Sequence, residues 1–589
     1  MSAGRKEIVM EGIGVSPGVV ISRAFLLISE EERYVERRIT ADEVPREITR
    51  FEQALIATRH QIHEIQQQVS QAIGQENASI FDAHLLVVDD RSFVEEVIRE
   101  VSEQHRNVES VLHEVAEKYA KALAKIDDEY LRERAADVRD VARRILRNLS
   151  GKSRSAIAEL REPCVVIAND LSPSETATMD KEKVAGFATD LGSPTSHTAI
   201  MARALGIPAI VGLHDVSVRV SAGDEVLIDG NKGVLVIHPS ADRLERYGQV
   251  QESRRHIESE LAALRDEEAE TRDGYRVLLS ANIERPEDVA AVQSNGACGV
   301  GLFRSEFLYL SRDALPDEEE QFAAYDRVAR QLAPDPVIIR TIDLGGDKFL
   351  SHIRTAPEIN PFMGWRAIRF CLAQPDIFKT QLRAILRASA SLNVRLMYPL
   401  VSSVTEVQQA NVLLEAAKDE LRQAGQPFND AIEVGVMIEV PSAALTADRI
   451  APHVDFFSIG TNDLVQYTLA VDRVNERIAY LYEPTHPAIL KLTQATIDIG
   501  HAHNIWTGVC GEMAGNPLMV PLLLGLGADE LSVSPSLVPM TKKMIRSLEY
   551  RQAEELAQRV LSSDSPQEVL DLCRQMAQEV APEIMELIK

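Results

Sequence analysis

The sequence predicts a multidomain α/β protein: an N-terminal α/β domain with an inserted helical bundle, a charged helical linker, and a C-terminal TIM-type (β/α)8 barrel. The chain has 589 residues, too many for a single core, and domain sizes of roughly 100–250 residues divide it into about three units. Between about residues 40 and 149 Gly and Pro almost disappear, and charged amphipathic segments follow one another. Beyond residue 273, β-like and helical stretches alternate about eight times in some 315 residues.

Taken in order, residues 7 to 28 (IVMEGIGVSPGVVISRAFLLIS) read as short strands punctuated by Gly and Pro. The segments EITRFEQALIATRHQIHEIQQQVSQAI, RSFVEEVIREVSEQH, VESVLHEVAEKYAKALAKI and AADVRDVARRILRNL repeat apolar residues at helical spacing, which predicts a hairpin bundle. Strand-like runs return at CVVIAND, AGFATD, AIVGL and EVLIDG, so the bundle interrupts a domain whose pieces flank it. The α/β domain is therefore assigned residues 1–33 and 150–239, the insert 34–149, the linker 240–272 and the barrel 273–589. The linker is helical and highly charged, without a broad apolar face.

Composition excludes several classes. A net charge of −27 repels nucleic acid and anionic membranes, and any site for an anion must gather its own cations. No apolar run is long enough to span a bilayer, and the N-terminus MSAGRKEIVMEG lacks the apolar core of a signal peptide. Five scattered cysteines fit free thiols in a reducing compartment, so the cytoplasm is the expected location.

Within the barrel, the apolar runs end in reactive groups: Arg304 and Glu306, Arg340 and Asp343, Glu439, Asn462 and Asp463, Cys510 and Glu512. Barrel active sites lie at the C-terminal ends of the strands, so this recurrence predicts a catalytic mouth. Arg304, Arg340, Lys348, Arg366 and Arg473 are candidates to bind a small, multiply charged anion, since guanidinium forks match phosphate and carboxylate. Taken singly, each Arg also fits a surface ion pair. Glu439 and Asp463 offer hard oxygen ligands suited to Mg²⁺ rather than zinc, or carboxylate partners for Arg. Cys510 is the one cysteine at a predicted strand end; it reads as a buried core thiol or as a proton donor.

The stretch SPTSHTAIMARALGIPAIVG places His197 at the start of an apolar helical pattern, among Thr195, Ser196 and Thr198. Free amides and the dipole at a helix start favour bound anions, and a phosphorylated imidazole would find hydroxyls and Arg203 close by. A histidine simply held at a helix start by Ser and Thr fits the spacing as well.

Longer motifs carry a resemblance. GSPTSHTAIMARALGIPAIVG is similar to the phosphohistidine signature of the PEP-utilising enzyme family, and FFSIGTNDLVQYTLAVDR to its barrel signature. With GIGVSPGVV, DDEYLRERAADVRDVARRILRN, ANDLSPSETATMD and the run from GVGLFRSEF onward, nearly the full length resembles the enzyme I family of the bacterial phosphoenolpyruvate:sugar phosphotransferase system. The resemblance implies that phosphoenolpyruvate phosphorylates His197 on Nε2. It implies substrate binding by Arg304, Arg340, Asn462, Asp463 and Arg473, with Lys348 and Arg366 as further phosphate ligands. It implies Mg²⁺ on Glu439 and Asp463, and Cys510 as the acid that protonates C3 to give pyruvate. A carrier protein, HPr, would dock on the helical insert and take the phosphoryl group, the linker would permit a swing between barrel and carrier, and two copies would pair through their barrels.

The sequence departs from the family pattern in two places. GSPTSH stands where GGxTSH is common, so Ser193 and Pro194 stiffen the approach to His197. In FDAHLLVVDDRSFVEE, His84 and the stripe Leu85, Leu86 and Phe93 are kept for docking or packing, but Arg91 and Ser92 replace acidic residues. A dikinase of the pyruvate-phosphate type needs a nucleotide-binding domain, and no Gly-rich phosphate loop precedes His197. The nitrogen-related paralogue needs an extra N-terminal sensory domain, for which there is no room. A protein that senses phosphoenolpyruvate without turning it over would not need His197, Cys510, Glu439 and Asp463 together.

Overall fold

The computed structural model describes residues 7–27, 36–73, 80–124, 129–151, 157, 160, 162–177, 179–194, 196–310, 314–345, 360–475 and 477–587. It divides into two compact units, Met1–Glu252 and Ser253–Lys589. The helix Ala241–Ala263 carries the chain from one into the other.

In the first unit, eight strands form one sheet: β1 (Ile8–Glu11), β2 (Ile13–Ser16), β3 (Val19–Leu27), β4 (Cys164–Ala168), β5 (Val184–Thr189), β6 (Ala209–Val211), β7 (Glu225–Asp229) and β8 (Val234–Ile237). Their order is β1-β8-β7-β3-β4-β5-β6-β2. The central strands β3 to β6 run parallel, and antiparallel strands close both edges. Successive residues of β4 face opposite sides, as the two-residue period of a strand requires. Val166 and Ala168 enter the core beneath the helix His197–Leu205, whereas Val165 and Ile167 pack with Val226, Ile228 and Leu235 on the other side. Between β3 and β4 the chain builds the helices Val44–Ile73, Ile80–Val88, Arg91–Gln104, Val108–Ala124 and Glu129–Leu149. Their apolar stripes meet in a separate core around Phe51, Phe81, Phe93, Leu112 and Ile145.

In the second unit, eight parallel strands close a barrel: β9 (Leu278–Ile283), β10 (Val300–Arg304), β11 (Val337–Arg340), β12 (Val394–Tyr398), β13 (Val434–Ile438), β14 (Phe456–Ile459), β15 (Trp506–Val509) and β16 (Glu530–Val533). The eight alternations in the sequence are these strands. Hydrophobic faces of the surrounding helices bury the outer side of the barrel, with Phe303, Tyr325, Phe370, Tyr398 and Phe457 fully enclosed. The barrel interior is filled by Leu302, Ile338, Met397, Met437, Phe456 and Cys510. Among the described residues, no helix is long and apolar enough to cross a membrane.

Candidate active site

The period of two along each barrel strand decides what reaches the mouth. Gly435, Met437 and Glu439 share one side of β13 and its exit; Trp506, Gly508 and Cys510 do so on β15. Met437 and Cys510 lie in the interior cluster, which fixes that side as the inner one. Glu439, the next inward position, therefore emerges at the C-terminal rim, where it is 2% exposed.

Asp343 is the hub of this rim. Its Oδ1 accepts hydrogen bonds from Arg366 Nε at 3.0 Å and Nη2 at 2.7 Å, and its Oδ2 lies 3.1 Å from Arg340 Nη1. Arg340 also donates to Glu306 at 2.8 Å, and the same carboxylate oxygen accepts the Asp343 amide at 2.9 Å. From Arg366 the network continues to Asp463 at 3.3 Å and to the Tyr467 hydroxyl at 3.4 Å; Arg473 approaches Asp463 at 3.9 Å. Burial works against the charge on Arg340 and Arg366, but the facing carboxylates more than offset it and raise both above the ordinary arginine range. Burial likewise opposes ionisation of Asp343, yet Arg340 and Arg366 hold its carboxyl below the usual value. Arg304, at the end of β10, pairs with Glu284 at 2.7 Å and is more exposed than the others.

Glu439 is in a different position. Its Oε1 accepts the Leu400 amide at 2.6 Å. Burial, then the nearby charges of Asp463 and Asp343, push its carboxyl up to about 8. Cys510 is buried, with its thiol donating to the Ile459 carbonyl at 3.7 Å. Burial pushes this thiol up to about 11, so it keeps its proton at neutral pH. Two guanidinium nitrogens here, Arg340 Nε and Arg473 Nη1, are buried with no hydrogen-bond partner among the described residues. Buried donors are rarely left so, and they mark where ligand oxygens can bind.

Beside Cys510 the chain makes a tight passage. A β-carbon on Gly511 would run into the Thr461 hydroxyl and backbone, so only glycine fits. Asn462 fastens the next residue: its Oδ1 accepts the Glu512 amide at 2.9 Å and its Nδ2 donates to Glu512 Oε1 at 3.0 Å.

In the first unit, His197 opens the helix His197–Leu205, with Ser196 as its N-cap accepting the Ala199 amide at 3.3 Å. The helix ends at Gly206, which adopts φ 62°. Ala199 and Ala202 face the sheet, while Met201 packs into the bundle core. Arg203 reaches back to the Pro194 carbonyl at 3.2 Å, next to the helix start.

Residues 11–134, 160–233 and 258–550 match, respectively, the N-terminal domain, the mobile domain and the PEP-binding domain of PEP-utilising enzymes. A protein from Listeria innocua named phosphoenolpyruvate-protein phosphotransferase is 43% identical over 96% of this chain and 98% of its own. One of the same name from Staphylococcus carnosus is 43% identical over the same shares. A solution structure of an Enzyme I protein is 41% identical and covers 42% of this chain and 99% of that one, at a TM-score of 0.37. The chain belongs to the phosphoenolpyruvate-protein phosphotransferase family of PEP-utilising enzymes.

Of the residues singled out in the sequence of this phosphotransferase-family chain, the rim brings together Arg340, Arg366, Glu439, Asp463, Arg473 and Cys510, with Arg304 and Asn462 on its borders. Lys348, Thr195 and the side chain of His197 lie outside the described residues. One expectation is corrected. Thr198 is not part of an open hydroxyl cage: it is buried, and its Oγ1 donates to the Leu171 carbonyl at 2.7 Å. Of the two roles open to His84, docking or packing, its burial 3.2 Å from Asp137 fits packing; Phe93 is buried too, and only Leu86 of that stripe is exposed. A helix buries one face, so alternate members of a short apolar stripe part company. In the sequence, Asp343 and Glu306 are strand-end residues to which the motifs assign no role. Their signal was present, an acid three residues after Arg340 and another two after Arg304, but only the folded rim brings both onto one guanidinium.

Proposed function

We propose that this chain transfers the phosphoryl group of phosphoenolpyruvate to His197 and then to a histidine of the carrier protein HPr, releasing pyruvate, as the first step of sugar uptake by the phosphotransferase system. The observation that carries the reading is the rim: Arg340, Arg366, Glu439, Asp463 and a protonated Cys510 gathered at the ends of barrel strands. In this reading, Arg304, Arg340, Lys348, Arg366, Asn462, Asp463 and Arg473 bind the substrate. The unpaired donors of Arg340 and Arg473 take its phosphate and carboxylate oxygens. As the bond from phosphorus to the enol oxygen breaks, a bond to the His197 nitrogen forms. The enolate then collapses to a ketone as C3 takes the Cys510 proton, and water reprotonates the thiolate. Held arginines stabilise the transferring group without reorganising.

Charge arithmetic argues for a metal. Arg304, Arg340, Arg366 and Arg473 carry four positive charges against the carboxylates of Glu306, Asp343 and Asp463, with Glu439 mostly neutral near pH 7. One net positive charge attracts a multiply charged anion only weakly. Among the described residues, no three His, Cys, Asp or Glu side chains are grouped to hold a metal by themselves. Two carboxylates suit Mg²⁺, which completes its shell with water and substrate oxygens. The crowding that raises Glu439 is what a dication there relieves. Glu439 and Asp463 would hold it, and it would neutralise charge on the phosphoryl oxygens.

The resemblance also supports a homodimer through the barrel, which sedimentation velocity would read, and five free thiols support a cytoplasmic place of work. The test of the function is incorporation of acid-labile phosphate from phosphoenolpyruvate. It should need Mg²⁺, stop with EDTA and pass to HPr. A chain that takes up no phosphate under these conditions would refute the reading.

A further inference from the structure

On the opposite side of Cys510 from Asn462 lies a second fastening, made of residues that the substrate-binding and metal-binding roles do not use. Asn282 stands one residue before the end of β9. Its Nδ2 donates to the Cys510 carbonyl at 3.1 Å and to the Ser532 carbonyl at 3.1 Å. Its Oδ1 accepts from Ser532 Oγ at 2.7 Å. Carbonyls only accept, so the two of them orient the amide unambiguously, and the Ser532 hydroxyl fixes its other end. One side chain thereby ties the exit of β15 to β16 and β9, three neighbours in the barrel wall. The other peptide group of Cys510 is held as well, its N–H donating to the Ile459 carbonyl of β14 at 3.1 Å. Cys510 is thus clamped through its N–H by β14 and through its carbonyl by Asn282. Among the described residues, the Asn282 amide is the one side chain that hydrogen-bonds the Cys510 carbonyl.

We propose that Asn282, oriented by Ser532, is a positioning residue that sets where the Cys510 thiol delivers its proton. This rests on the reading of Cys510 as the acid of the reaction. Proton transfer from sulfur to C3 breaks the S–H bond and forms a C–H bond while the enolate carbon–carbon double bond is consumed; water restores the thiol. The transfer needs the thiol within a few tenths of an ångström of its line, and a displacement of about 1 Å can cost on the order of 100-fold. The side-chain hydrogen bonds of Asn282 go to Cys510 and Ser532 rather than to the arginines assigned to the substrate, so its loss should spare affinity.

The test compares Asn282→Leu, Ser532→Ala, Cys510→Ala and the unaltered chain in pyruvate release, with the solvent deuterium isotope effect and the KM for phosphoenolpyruvate. Leucine keeps the branched shape and heavy-atom count of asparagine and removes the donors. For folded Asn282→Leu, kcat should fall by roughly 10- to 100-fold with KM within about twofold, and the isotope effect should rise as proton delivery becomes limiting. Ser532→Ala, which leaves the amide free to turn, should shift both in the same direction by a smaller factor, and it decides the matter if Asn282→Leu does not fold. Wild-type kcat and isotope effect in folded Asn282→Leu, or in Ser532→Ala when the first variant is unfolded, would overturn the proposal, provided Cys510→Ala is impaired. If Cys510→Ala itself releases pyruvate normally, the reading of Cys510 fails, and the inference about Asn282 fails with it.

Discussion

Cys510 and Asp343 show how single side chains divide the work. A thiol pushed up to about 11 by burial is a weak acid in water but holds its proton ready throughout the neutral range. Cys510→Ala is therefore expected to slow pyruvate formation by orders of magnitude while phosphoenolpyruvate affinity, measured by calorimetry, stays within a few-fold. Collapse of affinity would make Cys510 a packing residue. Asp343 holds two guanidiniums at once, so Asp343→Asn should loosen both and leave buried positive charge without its partner. A loss of about 3 kcal/mol in urea unfolding is expected, along with weakened substrate binding. Full stability in that variant would mean that Glu306 and Asp463 suffice. The candidates at strand ends were legible because barrel chemistry collects there. Asp343 as a hub was not, because a sequence does not tell which of several nearby acids an arginine will choose. Asn282 was invisible for the same reason: its partners lie 228 and 250 residues away.

At the scale of the element, the barrel strands set both the floor and the mouth. On β16, Glu530 points inward, with its Oε1 accepting from Ser280 Oγ at 2.6 Å. Burial pushes its carboxyl up to about 7, the Ser280 hydroxyl and Arg395 only partly opposing this. In the unfolded chain the same group titrates near 4.5, so the fold binds a proton that the unfolded chain has released across that interval. The stability contributed by the neutral carboxyl is complete below about pH 4.5 and is lost as pH rises through about 7. Unfolding free energy of the unaltered chain should accordingly fall relative to Glu530→Gln by about 3 kcal/mol over that window, as urea titrations at several pH values would measure. Parallel curves would mean that the carboxyl is solvated. At the rim, Gly511→Ala should displace the Cys510 turn through its clash with Thr461, lowering kcat far more than it alters KM. The alternation of eight strands was readable from hydrophobic runs. The inward polar layer of Ser280, Asn282, Glu530 and Ser532 was not, since small polar residues in a strand give no sign of which side they face.

Across the whole molecule, His197 and the barrel rim belong to different units, joined through the helix Ala241–Ala263. Phosphoryl transfer asks little of the protein beyond positioning and charge, so an acceptor can be carried to a donor rather than built beside it. Under this reading, a disulfide engineered to lock the units should preserve either uptake from phosphoenolpyruvate or delivery to HPr, and never both at full rate. The architecture was legible because texture changes along the chain: Gly- and Pro-poor helices, then strands, then a regular alternation. Which members of the apolar stripe from His84 to Phe93 reach the surface was not, as the burial of His84 and Phe93 beside the exposed Leu86 shows. The most direct measurement is mass-spectrometric mapping of acid-labile phosphate after the full chain meets phosphoenolpyruvate and Mg²⁺. One phosphate on His197, absent from His197→Ala although that variant still binds phosphoenolpyruvate, and lost when HPr is added, is the expected result. Phosphate on another residue, or none on His197, would contradict it.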